Sequence, residues 1–285
     1  MPHSDLELSV VAPAHNEEPN IRPLVEEIDA ALGRAGMAYE IVVVDDGSTD
    51  GTRAALEALM ATRPHLRCVA MTNTPKGKGN GQSAAFHAGF RAARGRLIAV
   101  LDADLQNDPK DLPAMLGLMR VQNADLVQGD RSHARKDNIV RRVGSIVGRL
   151  FRRSLLGDTI RDTGCSLRVM TREMALRLPL EFRGMHRFIP ITIVHLGGKV
   201  VQMPVSHRPR TAGTTKYGMG ILPRALPGLI DLFAVRYMRN RRRPTTSIEV
   251  AVLPGHAAHA ENAGRIATEP KAGAVHVAGT QGSHA

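Results

Sequence analysis

The chain of 285 residues contains no tryptophan, three tyrosines and six phenylalanines, so aromatics make up 3% of it. That scarcity argues against a protein that grips nucleic acid or long glycans by stacking them on aromatic platforms. There are two cysteines, Cys68 and Cys165. One pair builds neither a disulfide framework nor a four-ligand zinc site, and a reducing compartment is its simplest setting. No run of about 18 uninterrupted apolar residues occurs, so no membrane-spanning helix is expected. Met1 to Leu8 has no basic stretch followed by an apolar run, so no signal peptide is expected either.

Positive charge is what the sequence has in excess, with a net +11. Such a balance favours a polyanionic partner: a nucleic acid, a nucleotide or an anionic membrane. The charge is clustered. Between Arg131 and Arg153 stand eight basic residues (131, 135, 136, 141, 142, 149, 152 and 153) against one acid, Asp137. Arg236, Arg239, Arg241, Arg242 and Arg243 form a second cluster. The plainer alternative for each is a solvated helix face.

Five short apolar runs, Leu8 to Ala12, Glu40 to Val44, Leu66 to Met71, Leu97 to Leu101 and Asp125 to Gln128, alternate with segments of helical spacing. Glu17 to Leu32 is the clearest of these, with Ile21, Leu24, Val25, Ile28 and Leu32 on one face. Others follow at Thr52 to Thr62, Gln82 to Arg94 (stopped by Gly95) and from Pro109. Continuous apolar strands alternating with helices predict an α/β fold, a mostly parallel sheet with helices on both faces. Ligands of such sheets sit outside the carboxyl ends of the strands. Three polar clusters lie at those ends: Pro13 to Glu17, Asp45 to Asp50 and Asp102 to Asp108.

Past Gly129 the pattern loosens. A basic helix is expected from Asn138 to Leu156, then a short amphipathic piece after Asp162-Thr163-Gly164-Cys165, and a strand at Lys199 to Val205. Ile221 to Met238 has helical spacing, but Pro223, Arg224, Pro227 and Asp231 exclude it as a membrane span. The chain from Pro244 is rich in Ala, Gly, His and Thr and reads as a disordered tail. The irregular spacing of its histidines gives no metal motif. The expected division is a catalytic domain at 1–218, an amphipathic basic membrane-surface helix at 219–243 and the tail at 244–285.

Asp102 and Asp104 stand two apart at a strand end, which directs both carboxylates to one side. Carboxylates so close repel unless a cation or hydrogen-bond donors neutralise them. Mg²⁺ takes one or two carboxylates together with phosphate oxygens, which matches a metal-held nucleotide diphosphate. The plainer alternative is a loop with an Asp cap. One acid of Asp45-Asp46-Gly47-Ser48-Thr49-Asp50 can accept from a base or ribose, while Ser48 or Asp50 caps the helix that follows. Glu17 either caps the first helix or faces the same cleft. Lys76-Gly77-Lys78-Gly79-Asn80-Gly81 has neither P-loop nor dinucleotide-fold spacing and reads as a flexible lysine-bearing loop.

Together, Pro13-Ala14-His15-Asn16-Glu17-Glu18, Val44 to Asp50 and Leu101-Asp102-Ala103-Asp104-Leu105-Gln106 resemble the inverting family 2 glycosyltransferases of GT-A fold. The Leu-Gln after the Asp-x-Asp, with Asp108-Pro109, resembles the dolichyl- or polyprenyl-phosphate mannosyltransferase branch. So does His207 to Tyr217, which is similar to that branch's R-x-x-G-x-S-K-Y segment. The resemblance spans Leu8 to Arg243 and is more specific for fold and reaction than for the sugar. It implies that Pro13, Glu17 and Asp46 line the nucleoside pocket, with Asp102 and Ala103 against the nucleotide. Asp104, with Asp102 and Gln106, would hold Mg²⁺ or Mn²⁺. Arg131, Arg208 and Lys216 would hold phosphates. Asp162-Thr163-Gly164-Cys165-Ser166-Leu167-Arg168 resembles the acceptor loop of bacterial polyprenyl-phosphate sugar transferases, with Asp162 a candidate base or a positioning group. His15 stands where Tyr is usual, Thr215 where Ser is usual, and the family's frequent C-terminal membrane spans are not seen.

The implied reaction is inverting transfer of a sugar from a nucleotide-diphosphate sugar to a polyprenyl or dolichyl phosphate. GDP-mannose is the first choice of donor and a UDP-sugar the second. A cytoplasmic protein, peripheral on the inner face of an anionic membrane, follows from that reading, with or without a small membrane-spanning partner. The rivals are a nucleotidyltransferase, a nucleic-acid-binding module and a silent sugar-nucleotide binder. The first would want a Gly-rich loop where Pro13 to Glu17 stands. The second has no need of acids at three strand ends, and no nucleic-acid partner is expected. An assay separates the third.

Overall fold

The computed structural model of the chain describes residues 6–75, 77–133, 139–209 and 222–245; the helical stretches 139–147 and 222–226 are described as backbone only. Lys76, Lys216, Thr215 and the tail from 246 onward lie outside the described residues.

The β-branched runs become the middle of a sheet. β1 (Leu8–Ala14) pairs in parallel with β2 (Tyr39–Asp45) on one side and β4 (Leu97–Val100) on the other. β3 (Leu66–Ala70) extends the sheet beyond β2. Val42, Val43 and Val44 are wholly buried, as strands covered on both faces must be. β5 (Leu126–Asp130), β6 (Arg168–Thr171) and β7 (Val200–Pro204) complete the described sheet in the order β3-β2-β1-β4-β6-β5-β7. β6 is antiparallel to both β4 and β5, while every other pairing in it is parallel.

Helices cover both faces. α1 (Glu18–Gly33), α2 (Thr52–Met60) and α4 (Leu112–Gln122) pack Ile21, Leu24, Leu56 and Leu116 into one core. α3 (Gln82–Ala92), α6 (Arg172–Leu176), α7 (Ile189–His195) and α8 (Leu222–Arg241) pack Phe86, Phe90, Ala175, Ile193, Leu232 and Val235 into the other. α5 (Ile139–Leu156) ends with Leu156 in that second core. The expected face of α1 is the buried one, with all five of its apolar residues at 0% exposure. Phe86 and Phe90 stack with centroids 5.6 Å apart. Truncating either to Ala removes about 3–5 kcal/mol.

Three expectations change. The short amphipathic piece after the acceptor loop is β6, inserted in mid-sheet. Its Arg168 is 2% exposed and donates to the carbonyls of Cys165, Ser166 and His186, the last two at 3.2 Å. Burial pushes this guanidinium down to about 10, which leaves it charged at neutral pH. Second, Gly95 does not stop α3, which ends at Ala92 with Ala93 already extended. A Cβ at Gly95 would stand 2.6 Å from the Ser9 nitrogen, so this glycine permits close approach to β1. Third, the C-terminal helix is not separate from the catalytic domain, because Leu232 and Val235 are buried in its core.

Candidate active site

β2, β1 and β4 lie side by side and run the same way, so their carboxyl ends form one edge. From β1 the chain winds outward to β2 and β3, then returns to β4 on β1's other side, which makes a topological switch point at the β1–β4 edge. The three acidic clusters converge there because the strands that carry them are neighbours.

At the end of β1, Pro13 is half-buried and pairs with Val44. His15 Nδ1 lies 2.7 Å from the Asp46 carbonyl. Asn16 takes the left-handed conformation (φ 54), and its side chain accepts from the Thr49 amide at 2.7 Å. Glu17 is 8% exposed and does not cap α1 with its side chain; its Oε2 accepts from Asn20 Nδ2 at 2.7 Å. Asp50 accepts from the Thr52 amide, but the residue at the N-cap of α2 is Gly51, so neither Ser48 nor Asp50 caps that helix as expected.

Asp45 and Asp46 divide the work at the end of β2. Burial opposes the Asp45 charge, but bonds from Ser48 and Arg53 overcome it and hold the carboxyl below its ordinary range. Asp46 is 4% exposed and takes the amides of Asn80 and Gly81 at 2.9 and 2.8 Å. The described part of the Gly/Lys loop thus folds onto this carboxylate. A Cβ at Gly79 would meet Asp46 Oδ2 at 2.5 Å, which is why glycine is needed there.

β4 stops at Val100, and the Asp102-Ala103-Asp104 step lies in the turn beyond it. Ala103 is buried in the first core, so it can offer a ligand only its backbone. Leu105 is buried at φ 61, a conformation uncommon for a branched residue. That turn brings the Gln106 amide 3.2 Å from Asp104 Oδ1. Gln82, first residue of α3, donates to Asp102 Oδ1 at 2.7 Å. Burial and the neighbouring Asp104 charge push the Asp102 carboxyl up to about 6, against Ser166, Arg168 and Arg131, which pull it down. Two hard oxygen donors, one of them destabilised as an anion, fit a divalent cation that also takes phosphate oxygens. Among the described residues no group of three or more His, Cys, Asp or Glu could hold a metal alone, so any such ion would need other ligands.

Arg131 and Asp162 form a buried two-pronged pair, with Nε to Oδ2 at 2.8 Å and Nη2 to Oδ1 at 3.1 Å. Burial opposes the Arg131 charge, yet Asp162 holds it above its ordinary value. The Gly164 amide also donates to Asp162 Oδ1. The acceptor loop is tied to the Asp-x-Asp turn by Asn107 Nδ2, which donates to Ser166 Oγ at 2.7 Å. Gln128 of β5 holds the loop from below through the carbonyls of Asp162 and Cys165. Arg208 takes a different place. Its backbone amide donates to the Gln106 carbonyl, but its guanidinium is committed to Glu27 (3.0 and 2.8 Å) and Asp108 (2.9 Å). The structure therefore brings together Pro13, Glu17, Asp46, Asp102, Asp104, Gln106, Arg131 and Asp162, and turns Arg208 toward α1. Gln82, Asn107, Gln128 and Ser166 were missed in the sequence; only Gln128 left a trace, as a polar residue ending an apolar strand.

A switch point lined with strand-end carboxylates, with an Asp-x-Asp turn on one side and a basic loop on the other, defines a glycosyltransferase of GT-A fold. Solved structures share that fold. Glucosyl-3-phosphoglycerate synthase from Mycobacterium tuberculosis, in complex with Mn²⁺, UDP and glucosyl-3-phosphoglycerate, superposes with a TM-score of 0.57 at 21% identity, covering 84% of this chain and 82% of that one. A mannosyltransferase from Pyrobaculum calidifontis, in complex with GDP-Man and Mn²⁺, gives 0.58 at 21% identity, covering 84% and 66%. The family model for glycosyl transferase family 2 matches residues 9–178, and the chain belongs to that family. Among its relatives, the dodecaprenyl-phosphate galacturonate synthase of Rhizobium johnstonii is 35% identical over 248 residues, 85% of this chain and 70% of the relative. The undecaprenyl-phosphate 4-deoxy-4-formamido-L-arabinose transferase of Edwardsiella ictaluri is 34% identical over 212 residues, 74% of this chain. The match spans 63% of that transferase's length.

Proposed function

We propose that this chain transfers a sugar, with inversion, from a nucleotide-diphosphate sugar to a polyprenyl phosphate. The observation that carries the reading is the link between two half-sites. Acidic ends of β1, β2 and β4 supply a donor pocket, and Asn107–Ser166 joins it to the loop that holds Arg131 and Asp162. The sequence put GDP-mannose first. The relatives named above carry galacturonate or 4-deoxy-4-formamido-L-arabinose in their names, which moves a UDP-sugar ahead and leaves GDP-mannose second.

In this reading Pro13, Glu17 and Asp46 border the nucleoside, and Asp102, Asp104 and Gln106 would hold Mg²⁺ or Mn²⁺. Held there, such an ion would supply positive charge to offset the negative charge growing on the leaving diphosphate. Arg131 adds fixed positive charge near the reacting phosphates, at no reorganisation cost because Asp162 already orients it. Both Asp162 oxygens accept from Arg131, so its role is to position that arginine. A phosphate monoester with its second pKa near ~6 is already anionic at neutral pH and needs little help from a base. Arg208 would have to leave Glu27 and Asp108 to reach a phosphate. Lys216 would hold phosphate as the resemblance of His207 to Tyr217 implies. The acceptor is a membrane lipid, so the enzyme works at a bilayer. We place it peripherally on the cytoplasmic face, with the C-terminal helix packed on the catalytic core, and a small membrane-spanning partner is compatible. Among the described residues no helix is long and apolar enough to cross a membrane.

The test is turnover of UDP- and GDP-sugars with a soluble short-chain polyprenyl phosphate and Mg²⁺ or Mn²⁺. Transfer with at least one donor, lost by about 10²-fold or more in Asp104→Ala with the fold intact, is expected. Near-normal turnover in that variant removes Asp104 from the metal site. No transfer from any donor sinks the reading.

A further inference from the structure

α8 has two apolar faces, and the fold uses one. Leu232 and Val235 are each 4% exposed and enter the second core with Met238 beside them. Ile230, Phe233 and Tyr237 are 60%, 54% and 65% exposed. Their spacing of three and four residues puts them on one stripe, with exposed Ala234 between them. α5 adds two exposed apolar residues, Leu150 and Phe151. In sequence the same spacing runs back through Ile139, Val140, Val143, Ile146 and Val147. The helices meet where Arg236 donates to the Leu155 carbonyl (2.9 Å) and Arg239 to that of Leu156 (3.1 Å), one turn from Phe151.

Charge around this surface is one-sided. α5 contains no acidic residue, and exposed Arg149 and Arg153 flank its apolar pair. The one acid of α8, Asp231, abuts the Gly184 turn within the protein. Arg241 and Arg243 are exposed at the far end. This revises the role expected of the C-terminal arginines: Arg236, Arg239 and Arg242 are occupied with carbonyls of Leu155, Leu156 and His195. The surface is therefore apolar first and basic at its margins, the order in which an interfacial helix meets acyl chains and anionic headgroups. It also adjoins the acceptor loop, since Arg152, next to Phe151, donates to Thr163 Oγ1 at 2.6 Å.

We propose that the exposed stripe of α8 and the exposed Leu150 and Phe151 of α5 form one docking surface for an anionic bilayer. Phe151, Ile230, Phe233 and Tyr237 enter the acyl boundary, while Arg149, Arg153 and Arg241 lie at the headgroups. The inference rests on the lipid-phosphate acceptor of the preceding reading, and it assigns the residues that bring the enzyme to that lipid.

The absence of tryptophan from the chain supplies the probe. Full-length Phe233→Trp is mixed with vesicles of phosphatidylcholine, alone or with phosphatidylglycerol. A blue shift of emission with the anionic vesicles is expected; an unchanged spectrum with both overturns the proposal. Independently, Ile230→Glu with Tyr237→Glu should weaken co-sedimentation with anionic vesicles by about tenfold or more. Wild-type-like sedimentation of that double variant, or none by the wild type, also overturns it. The double variant should keep turnover of a soluble short-chain acceptor, which shows that it folds. Vesicle binding without turnover in the wild type supports the docking surface and overturns the acceptor reading instead.

Discussion

Asp102 is tied to two segments that lie far apart in sequence, α3 through Gln82 and the acceptor loop through Ser166, and it feels the charges of Asp104 in its own turn and of Arg131 after β5. Gln82→Ala removes the bond that orients one carboxylate oxygen. It should raise the apparent Kd for the divalent ion by roughly tenfold, on the scale known for such orienting partners. Metal titration followed by thermal shift checks this, and an unchanged Kd excludes Gln82 from the site. Beside Gln82, Ser83 Oγ accepts from the His186 amide (3.1 Å) and lies 2.9 Å from His186 Nδ1. Burial, with Arg187 and Arg168 adding positive charge, pushes this imidazole down to about 3. An unfolded histidine protonates near ~6.5. As pH falls below that value, the unfolded chain gains a proton that the folded one refuses. The stability contributed by neutral His186 is therefore full above ~6.5 and lost toward the folded value. Between pH ~6.5 and ~5 that loss is roughly 2 kcal/mol. Urea unfolding should show His186→Asn losing that much less than wild type over the same interval. Equal losses would mean His186 is not buried and neutral. The carboxylates of the site were legible in the sequence because strand ends announce them. Gln82, Asn107 and Ser166 were not, since a single polar residue on a helix or loop has no spacing from which its partner can be found.

The elements legible in advance were those whose pattern is local. The five early strands and the helices between them followed from β-branched runs and 3.6-residue spacing, as did the C-terminal strand and α8. β6 was not legible. It has four residues and begins with an arginine, and it lies mid-sheet where Arg168 donates to carbonyls of its own loop and of His186. Gly129 shows how closely the loop leading into β6 approaches β5: a Cβ there would stand 2.7 Å from the Leu167 carbonyl oxygen, a backbone atom that cannot turn aside. Gly129→Ala should therefore destabilise the fold by about 1–3 kcal/mol through displaced backbone. It should also reduce turnover, because Leu167 belongs to the acceptor loop. Chemical denaturation with a matched assay tests both, and a stable, fully active variant would mean that the loop and β5 separate without cost. At the α5–α8 junction, Arg239→Ala removes a cation from the last carbonyls of α5. A loss of about 1 kcal/mol is expected. No loss would return Arg239 to the solvated face that was the plainer alternative in the sequence.

For the molecule as a whole, the excess of +11 has two destinations that respond differently to salt. Arg131 and Arg168 are buried, engaged by Asp162 and by carbonyls, and act over short distances where mobile ions do not enter. Arg149, Arg153, Arg241 and Arg243 are exposed, and their attraction to a charged surface is screened beyond a Debye length of about 10 Å at 0.1 M and 3 Å at 1 M. Raising NaCl from about 0.05 M to about 0.5 M should therefore lower association with phosphatidylglycerol-containing vesicles by about tenfold. A remainder should persist, because the exposed apolar residues of α5 and α8 do not depend on charge. Over the same range, the KM for the nucleotide sugar with a soluble acceptor should change by no more than about threefold. Sedimentation and initial rates measured in the same buffers separate the two effects. A parallel collapse of vesicle binding and donor KM would mean that the exposed arginines serve the donor site. Salt-insensitive vesicle binding would leave docking to Phe151, Ile230, Phe233 and Tyr237 alone.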